Sequence, residues 1–411
     1  MTGTLTYRHT LIASCMGYVC QAIVNNLGPL LFVTFHREFA VSLPSLALLI
    51  TINFGIQLTV DLLAVRFVDR IGYRAAAVAA HVCCTIGLLG MGIFPYLTPG
   101  PYGGLLAAVM INAIGGGLLE VIVSPIVEAL PGDRKSSAMS LLHSFYCWGY
   151  VLVVILSTLY FTLAGVGKWR YLPLLWAAVP FINCFFFMRV PLRPLVEDSS
   201  AVLPLKTLFS KKIFWLFFLV MICSGASEQA MSQWASFFAE AGLGVSKTMG
   251  DLLGPCAFAV LMGIARTIFA LRGSRVKIEQ ALLLSGVFCI LCYLLAVFAP
   301  TPVLSLLGCA LCGMTVGVMW PGTFSLASRF FPLGGTAVFA LLALAGDVGC
   351  AAGPGLVGLI MNHFTFNRGL LTAILFPALL GICVFMLLRF RKGTGGRGGG
   401  ANGIDGGVSP V

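Results

Sequence analysis

Residues 11–35 contain no Asp, Glu, Lys or Arg, and stretches of similar character recur as far as residue 390. An α-helix rises about 1.5 Å per residue, so about 20 apolar residues cross the hydrocarbon core of a bilayer. Runs of that length fall at 11–35, 45–66, 75–97, 103–129, 138–164, 171–190, 212–240, 251–272, 278–299, 302–326, 336–362 and 368–390. The expected fold is an all-α membrane protein of twelve transmembrane helices. Composition agrees: 59% of residues are hydrophobic and 9% charged, where a soluble domain carries roughly a quarter charged. Little chain remains for a soluble domain. The first run is too long for a cleavable signal and reads as the first spanning helix.

The basic residues sort by loop. Arg8, Arg66, Arg70, Arg74, Arg134, Lys135, the Arg189–Lys212 stretch, Arg272, Arg275, Lys277, Arg329 and the C-terminal Arg389–Arg397 cluster share one side. The other side holds Arg37, Lys168, Arg170, Lys247 and Arg368. The positive-inside rule therefore puts both termini and the 191–211 loop in the cytoplasm of a multi-pass protein of the cell inner membrane or plasma membrane. The net charge of +11 is mostly this topology. It points to anionic lipid headgroups and not to nucleic acid.

Segment 191–211 is the one long interior linker. It divides the chain into an N-terminal six-helix bundle, 1–190, and a C-terminal one, 212–390, followed by a glycine-rich tail, 391–411, expected to be disordered. The halves echo each other. Gly117 precedes Pro125 by eight residues and the chain then reaches Gly149; Gly313 precedes Pro321 by eight and the chain reaches Gly349. Two parallel, pseudo-symmetric six-helix bundles are the expectation for one large transporter fold.

The loop "VRFVDRIGYR" after the second span resembles the G-x-x-x-D-R-x-G-x-R signature of the major facilitator superfamily, with Val65 in place of the leading glycine. Three further stretches resemble the fucose permease group of sugar–proton symporters: "VNNLGPLLFVTFHREF", the pair "LLEVIVSPIVEAL" and "LLHSFYCWG", and "SGASEQAMSQW". The resemblance implies alternating access, a cytoplasmic latch at Asp69, Arg70 and Arg74, and a polar substrate contact at His143. The coupling Asp of that group's first helix falls on Pro29 here.

Ionisable side chains inside a span cost about 3 kcal/mol unless they face protein or water. Five charged residues stand more than two positions from a span end: Asp61, Glu120, Glu228, Arg266 and Asp347. Glu120 shares a face with Gly116, Gly117 and Ser124, and is either a proton carrier or a carboxylate bonded to a neighbouring helix. Glu228, Gln229, Gln233 and Trp234 form the best sugar site, since a carboxylate and carboxamides hold paired hydroxyls beside a ring; the same residues also serve as interhelical glue. Asn25 and Asn26 on the first span, in a helix that Gly28-Pro29 breaks locally, are further substrate contacts. So are His143 and Tyr146, with interfacial anchoring as the alternative, and Trp320 beside Pro321, with ordinary packing as the alternative. Asp61 and Arg266 sit at matched depth, as a gate or a neutralising pair. Asp347 either replaces the missing first-helix acid or pairs with Arg266.

Fourteen cysteines lie along the apolar runs. Cys289, Cys292, Cys309 and Cys312 have a zinc-like spacing, but inside helices that cannot wrap a tetrahedral ion. No metal or cofactor is expected, and no catalytic set of residues occurs, so the chain reads as no enzyme. The expected function is proton-coupled uptake of a small neutral polar solute, a monosaccharide, by a monomer, with Glu120, Asp347 and Asp61 as coupling acids. Sodium is the alternative coupling ion, and proton-coupled export of amphipathic compounds the rival direction.

Overall fold

The computed structural model describes residues 5–131, 135–193, 205–272, 277–331 and 335–395. Among them twelve helices are long and apolar enough to cross a membrane: Tyr7–Leu30, Leu43–Leu63, Tyr73–Leu97, Pro101–Val127, Leu141–Ala164, Tyr171–Arg189, Lys212–Gly242, Lys247–Phe269, Ile278–Phe298, Pro302–Ala327, Leu341–His363 and Phe366–Arg389. They match the twelve expected runs one for one, and are called the first to twelfth spans below. The odd spans of the first half begin at one face of the molecule and the even ones return to it. That face bears the first and last described residues and is called the terminal face.

Proline decides where several spans break. In the first, Pro29 has no N–H to give the preceding turn, and the helix ends at Leu30; a second helix, Phe32–Phe39, restarts after Leu31. The sixth span is interrupted at Ala177, three residues before Pro180. The eighth passes through a wide π-helical turn, Leu252–Cys256, that contains Pro255. Each is the expected response to a residue that cannot donate to the carbonyl four positions back. The last helix, Leu375–Gly395, continues through the first five residues of the segment expected to be a disordered tail. Residues 396–411 and 194–204, the rest of the expected tail and most of the expected linker, lie outside the described residues.

Lipid supplies no hydrophobic force between helices, so close packing decides which spans touch. The seventh and eleventh spans pack at backbone distance. A methyl group on Gly349 would collide with the Ile222 carbonyl, and one on Gly225 with the Gly346 carbonyl. This brings Glu228 and Asp347 to one level of the molecule. Between the halves, the second span packs on the eleventh and the fifth on the eighth, while the first meets the seventh. The first and seventh spans are also the most buried, at 78% and 67%. Large apolar side chains such as Leu63, Ile182, Phe288 and Ile382 stay exposed on the outside, where lipid covers them. The polar residues of the first and seventh spans therefore face other helices or an internal space.

Candidate functional site

That space is a cavity of about 960 Å³ between the halves. It extends past Leu141, Phe269 and Ile278, at the terminal-face ends of the fifth, eighth and ninth spans. Toward the other face the halves are joined. Arg37 Nη1 meets Glu240 Oε1 at 2.9 Å. The Lys247 ammonium lies 5.4 Å from the Phe161 ring centre, and the Thr162 and Thr248 hydroxyls are 3.4 Å apart. Deeper in, the Tyr150 hydroxyl meets Ser232 Oγ at 3.0 Å and Gln233 Nε2 donates to the Asn25 carbonyl at 3.1 Å. The molecule is thus open at the terminal face and shut at the opposite one.

The cross-half ion pair found among the described residues adds little to the shut face. The Arg37 side chain is 67% exposed, and such pairs contribute at most about 1 kcal/mol. Arg37→Ala should raise opening at this face by less than about fivefold, measured by amide exchange, and the difference should fade in high salt. A much larger, salt-independent change would place the main lock at that pair.

Three carboxyl groups line the cavity, Glu120, Glu228 and Asp347, and Asp61 lies beside them outside its lining. Glu228 on the seventh span is paired with Arg266 on the eighth, Nη2 to Oε2 at 2.9 Å, and Arg266 Nη1 reaches the Cys147 sulfur at 3.5 Å. Glu120 on the fourth span accepts from Gln21 Nε2 at 2.6 Å. Asp61 on the second span and Asp347 on the eleventh are close enough to interact electrostatically across the two halves. Glu120 is close enough to interact electrostatically with both. A carboxylate has only acceptors, so a hydrogen bond between two carboxyl groups requires a proton between them. Asp61 Oδ1 and Asp347 Oδ2 are buried with no protein partner.

The amides around them are oriented by their neighbours. Asn25 Oδ1 accepts from Gln57 Nε2 at 2.8 Å and Asn53 Nδ2 at 3.2 Å, so its Nδ2 is the free end. Gln229 Oε1 accepts from Gln233 Nε2 at 3.0 Å, which leaves its donor end for the cavity. Tyr146 lines the cavity beside them. Tyr18 lies against His143, ring centres 5.3 Å apart, and its hydroxyl meets Ser124 Oγ at 3.0 Å.

The sequence profile of the Major Facilitator Superfamily matches residues 11–354. The chain belongs to that superfamily. No curated protein matches it. Among solved structures, this facilitator is similar to a bacterial homologue of the human lysosomal transporter Spinster in an inward-facing, occupied conformation, at 12% identity and a TM-score of 0.74, over 93% of this chain and 97% of the other. It is also similar to the nucleoside transporter NupG, at 16% identity and a TM-score of 0.71, over 92% and 98%. A third is the E. coli fucose:proton symporter FucP, at 17% identity and a TM-score of 0.62, over 93% and 98%. The fold is the shared two-bundle facilitator fold, and the protein is a multi-pass membrane transporter.

In this facilitator most residues expected at the site line the cavity: Asn25, Glu120, His143, Tyr146, Glu228, Gln229, Trp320 and Asp347. Three expected substrate contacts do not. Trp234 is fully buried on the shut side, its Nε1 donating to the Pro354 carbonyl at 3.0 Å and its ring against Phe32 and Phe237. Gln233 is engaged by Asn25 and Gln229, and Asn26 Nδ2 turns back to the Ala22 carbonyl at 2.9 Å. The expected pairing of Arg266 with Asp61 or Asp347 is also corrected. Glu228 holds Arg266, and the two aspartates lie near each other across the halves. Arg266 lines the cavity.

Of the expected latch, Arg74 grips the end of the sixth span in its own half, donating to the Phe187 and Val190 carbonyls at 2.8 Å each. Arg70 is exposed, and the Asp69 side chain lies outside the described residues. Cys289 and Cys312 approach to 3.8 Å between their sulfurs inside the packed ninth and tenth spans; among the described residues no group of three ligands is placed to hold a metal. Tyr18 and Cys147 line the cavity without having been singled out as contacts, beside Gln21, which stands one turn before Asn25. Positions 18, 21 and 25 follow helical spacing, and that stripe was the available signal.

Proposed function

We propose that this facilitator carries a small neutral polar solute, a monosaccharide, into the cell together with a proton, from a membrane in which both termini face the cytoplasm. The terminal face carries the basic loops, so the state described here is open to the cytoplasm. The observation that supports proton coupling most is the approach of Asp61 to Asp347 across the two halves, where a shared proton would hold the second and eleventh spans together. While the proton stays, the second and eleventh spans are held together. Once it leaves, two carboxylates face each other. At about 4 Å and an effective dielectric of about 20, that repulsion is on the order of 4 kcal/mol. It favours the state in which the two spans separate, as alternating access requires.

The solute reading rests on the donors. Asn25 and Gln229 turn N–H groups to the cavity, and Gln21 Oε1, buried without a protein partner, offers an acceptor. With Trp320 alongside, these suit hydroxyl groups on an apolar ring. A second reading draws on the charge. Glu228 is neutralised by Arg266, yet Asp61, Glu120 and Asp347 have no cationic partner among the described residues. An acidic cavity with Trp148, Trp320 and Phe324 at its mouth suits proton-driven export of organic cations.

Uptake by proteoliposomes from a mixed sugar panel and an organic-cation panel, with and without a pH gradient, separates the two. Gradient-driven sugar accumulation is expected; cation efflux without sugar uptake would favour the second reading. Glu120→Gln, which keeps the contact to Gln21, should retain sugar exchange and lose at least tenfold in accumulation. Full accumulation by that variant would remove Glu120 from coupling.

A further inference from the structure

Pro29 stands where the resemblance would place a coupling acid, and it has a second consequence. In a continuous α-helix the N–H of residue 29 would bond the carbonyl of Asn25. Proline has no N–H, so that carbonyl is released from its own helix at a residue only 5% exposed. A buried, unpaired carbonyl is costly and rarely left so. Its partner comes from the other half: Gln233 Nε2, on the seventh span, at 3.1 Å. The second N–H of the same nitrogen goes to Gln229 Oε1 at 3.0 Å. Both donors of Gln233 are thereby used, one toward the shut face and one toward a residue that lines the cavity. On the first-half side, Asn25 is itself fixed, because its side chain takes two hydrogen bonds from the second span.

We propose that Gln233 is a positioning residue that clamps the two halves at the shut face through the backbone carbonyl freed by Pro29, and so ties the gate to the orientation of Gln229 in the cavity. The clamp belongs to one state only. When the halves part at that face, Gln233 must leave the carbonyl, and water entering there takes its place. The first helix cannot reclaim the carbonyl, because Pro29 has nothing to donate. Exchanging a protein donor for water is close to balanced, so the clamp biases the two states without locking one. The orientation of Gln229 follows from the same nitrogen: its oxygen is occupied and its N–H groups are left for an oxygen of the solute.

The clamp is tested without any solute, so its failure leaves the sugar reading untouched and the reverse also holds. Full-length protein in lipid nanodiscs is compared with Pro29→Ala, Gln233→Met and the double variant by amide hydrogen exchange. The readout is residues 237–252, at the shut face and free of either substitution. Alanine at 29 restores the N–H and gives the Asn25 carbonyl a partner in its own helix that competes with Gln233 for it; it removes a helix breaker and is the milder of the two variants. Each single variant should speed exchange about two- to tenfold, the weight of one net hydrogen bond. The double variant should be no faster than the faster single one, because both remove the same contact. Wild-type exchange in Pro29→Ala would overturn the proposal, as would multiplied effects in the double variant.

Discussion

Asp61→Asn and Asp347→Asn should each abolish accumulation driven by a pH gradient while leaving exchange of the solute across the membrane intact. The reasoning starts from what an amide does in place of a carboxyl group. An Asn at either position donates an N–H to the remaining aspartate and reproduces the shared-proton contact without a proton to lose. Exchange needs only the loaded carrier to reorient, and in this scheme the loaded carrier is the protonated one. Net uptake also needs the empty carrier to return with its proton gone, and that step depends on two carboxylates facing each other. A repulsion on the order of 4 kcal/mol is about a thousandfold in an equilibrium constant. A loss of at least tenfold in accumulation is therefore a conservative expectation. The measurement is counterflow against gradient-driven uptake in proteoliposomes, with whichever panel sugar the wild type accumulates. Accumulation at wild-type levels in Asp61→Asn would reduce the contact to a structural one.

Depth in the membrane was legible in the sequence; direction around each helix was legible only in part. Twelve apolar runs fixed the spans, and an acid in the middle of such a run had to face protein or water. Glu120, Glu228 and Asp347 accordingly line the cavity. Matching Asp61 to Arg266 used depth alone. It failed because Arg266 shares its half with Glu228, and the second span of the first half meets the eleventh instead. No single-helix pattern carries that choice of partner. For the seventh span a signal existed. Successive residues turn by about 100°, so Trp234, six positions past Glu228, points well away from it. Gln233, five positions on, also diverges. Asn25 and Asn26 likewise cannot share a face, and only the first lines the cavity. The break in the first span was legible from Gly28-Pro29, but not the use made of the carbonyl it frees, because the donor lies 208 residues away.

Removing one partner of the Glu228–Arg266 pair should cost more than removing both. Glu228 is 6% exposed, and Arg266→Met would leave its carboxylate without a counter-ion in a poorly solvated place. Breaking a buried pair costs about 3–5 kcal/mol. The low end applies here, on the order of 3 kcal/mol, because the Arg266 side chain is 25% exposed and reaches the cavity. Glu228→Gln should cost less, since the guanidinium it strands can turn to the cavity and to Cys147. The double variant Glu228→Gln/Arg266→Met leaves no unpaired charge and should recover most of the loss, a coupling that thermal unfolding in detergent measures as a double-mutant cycle. Transport should not recover with it. The pair bridges the seventh and eighth spans and through Cys147 touches the fifth, so it holds the second half's wall of the cavity against the first. A double variant as unstable as the two losses combined would mean that the residues act independently. A double variant that is both stable and fully active would mean that the pair serves the fold and not the passage of the solute.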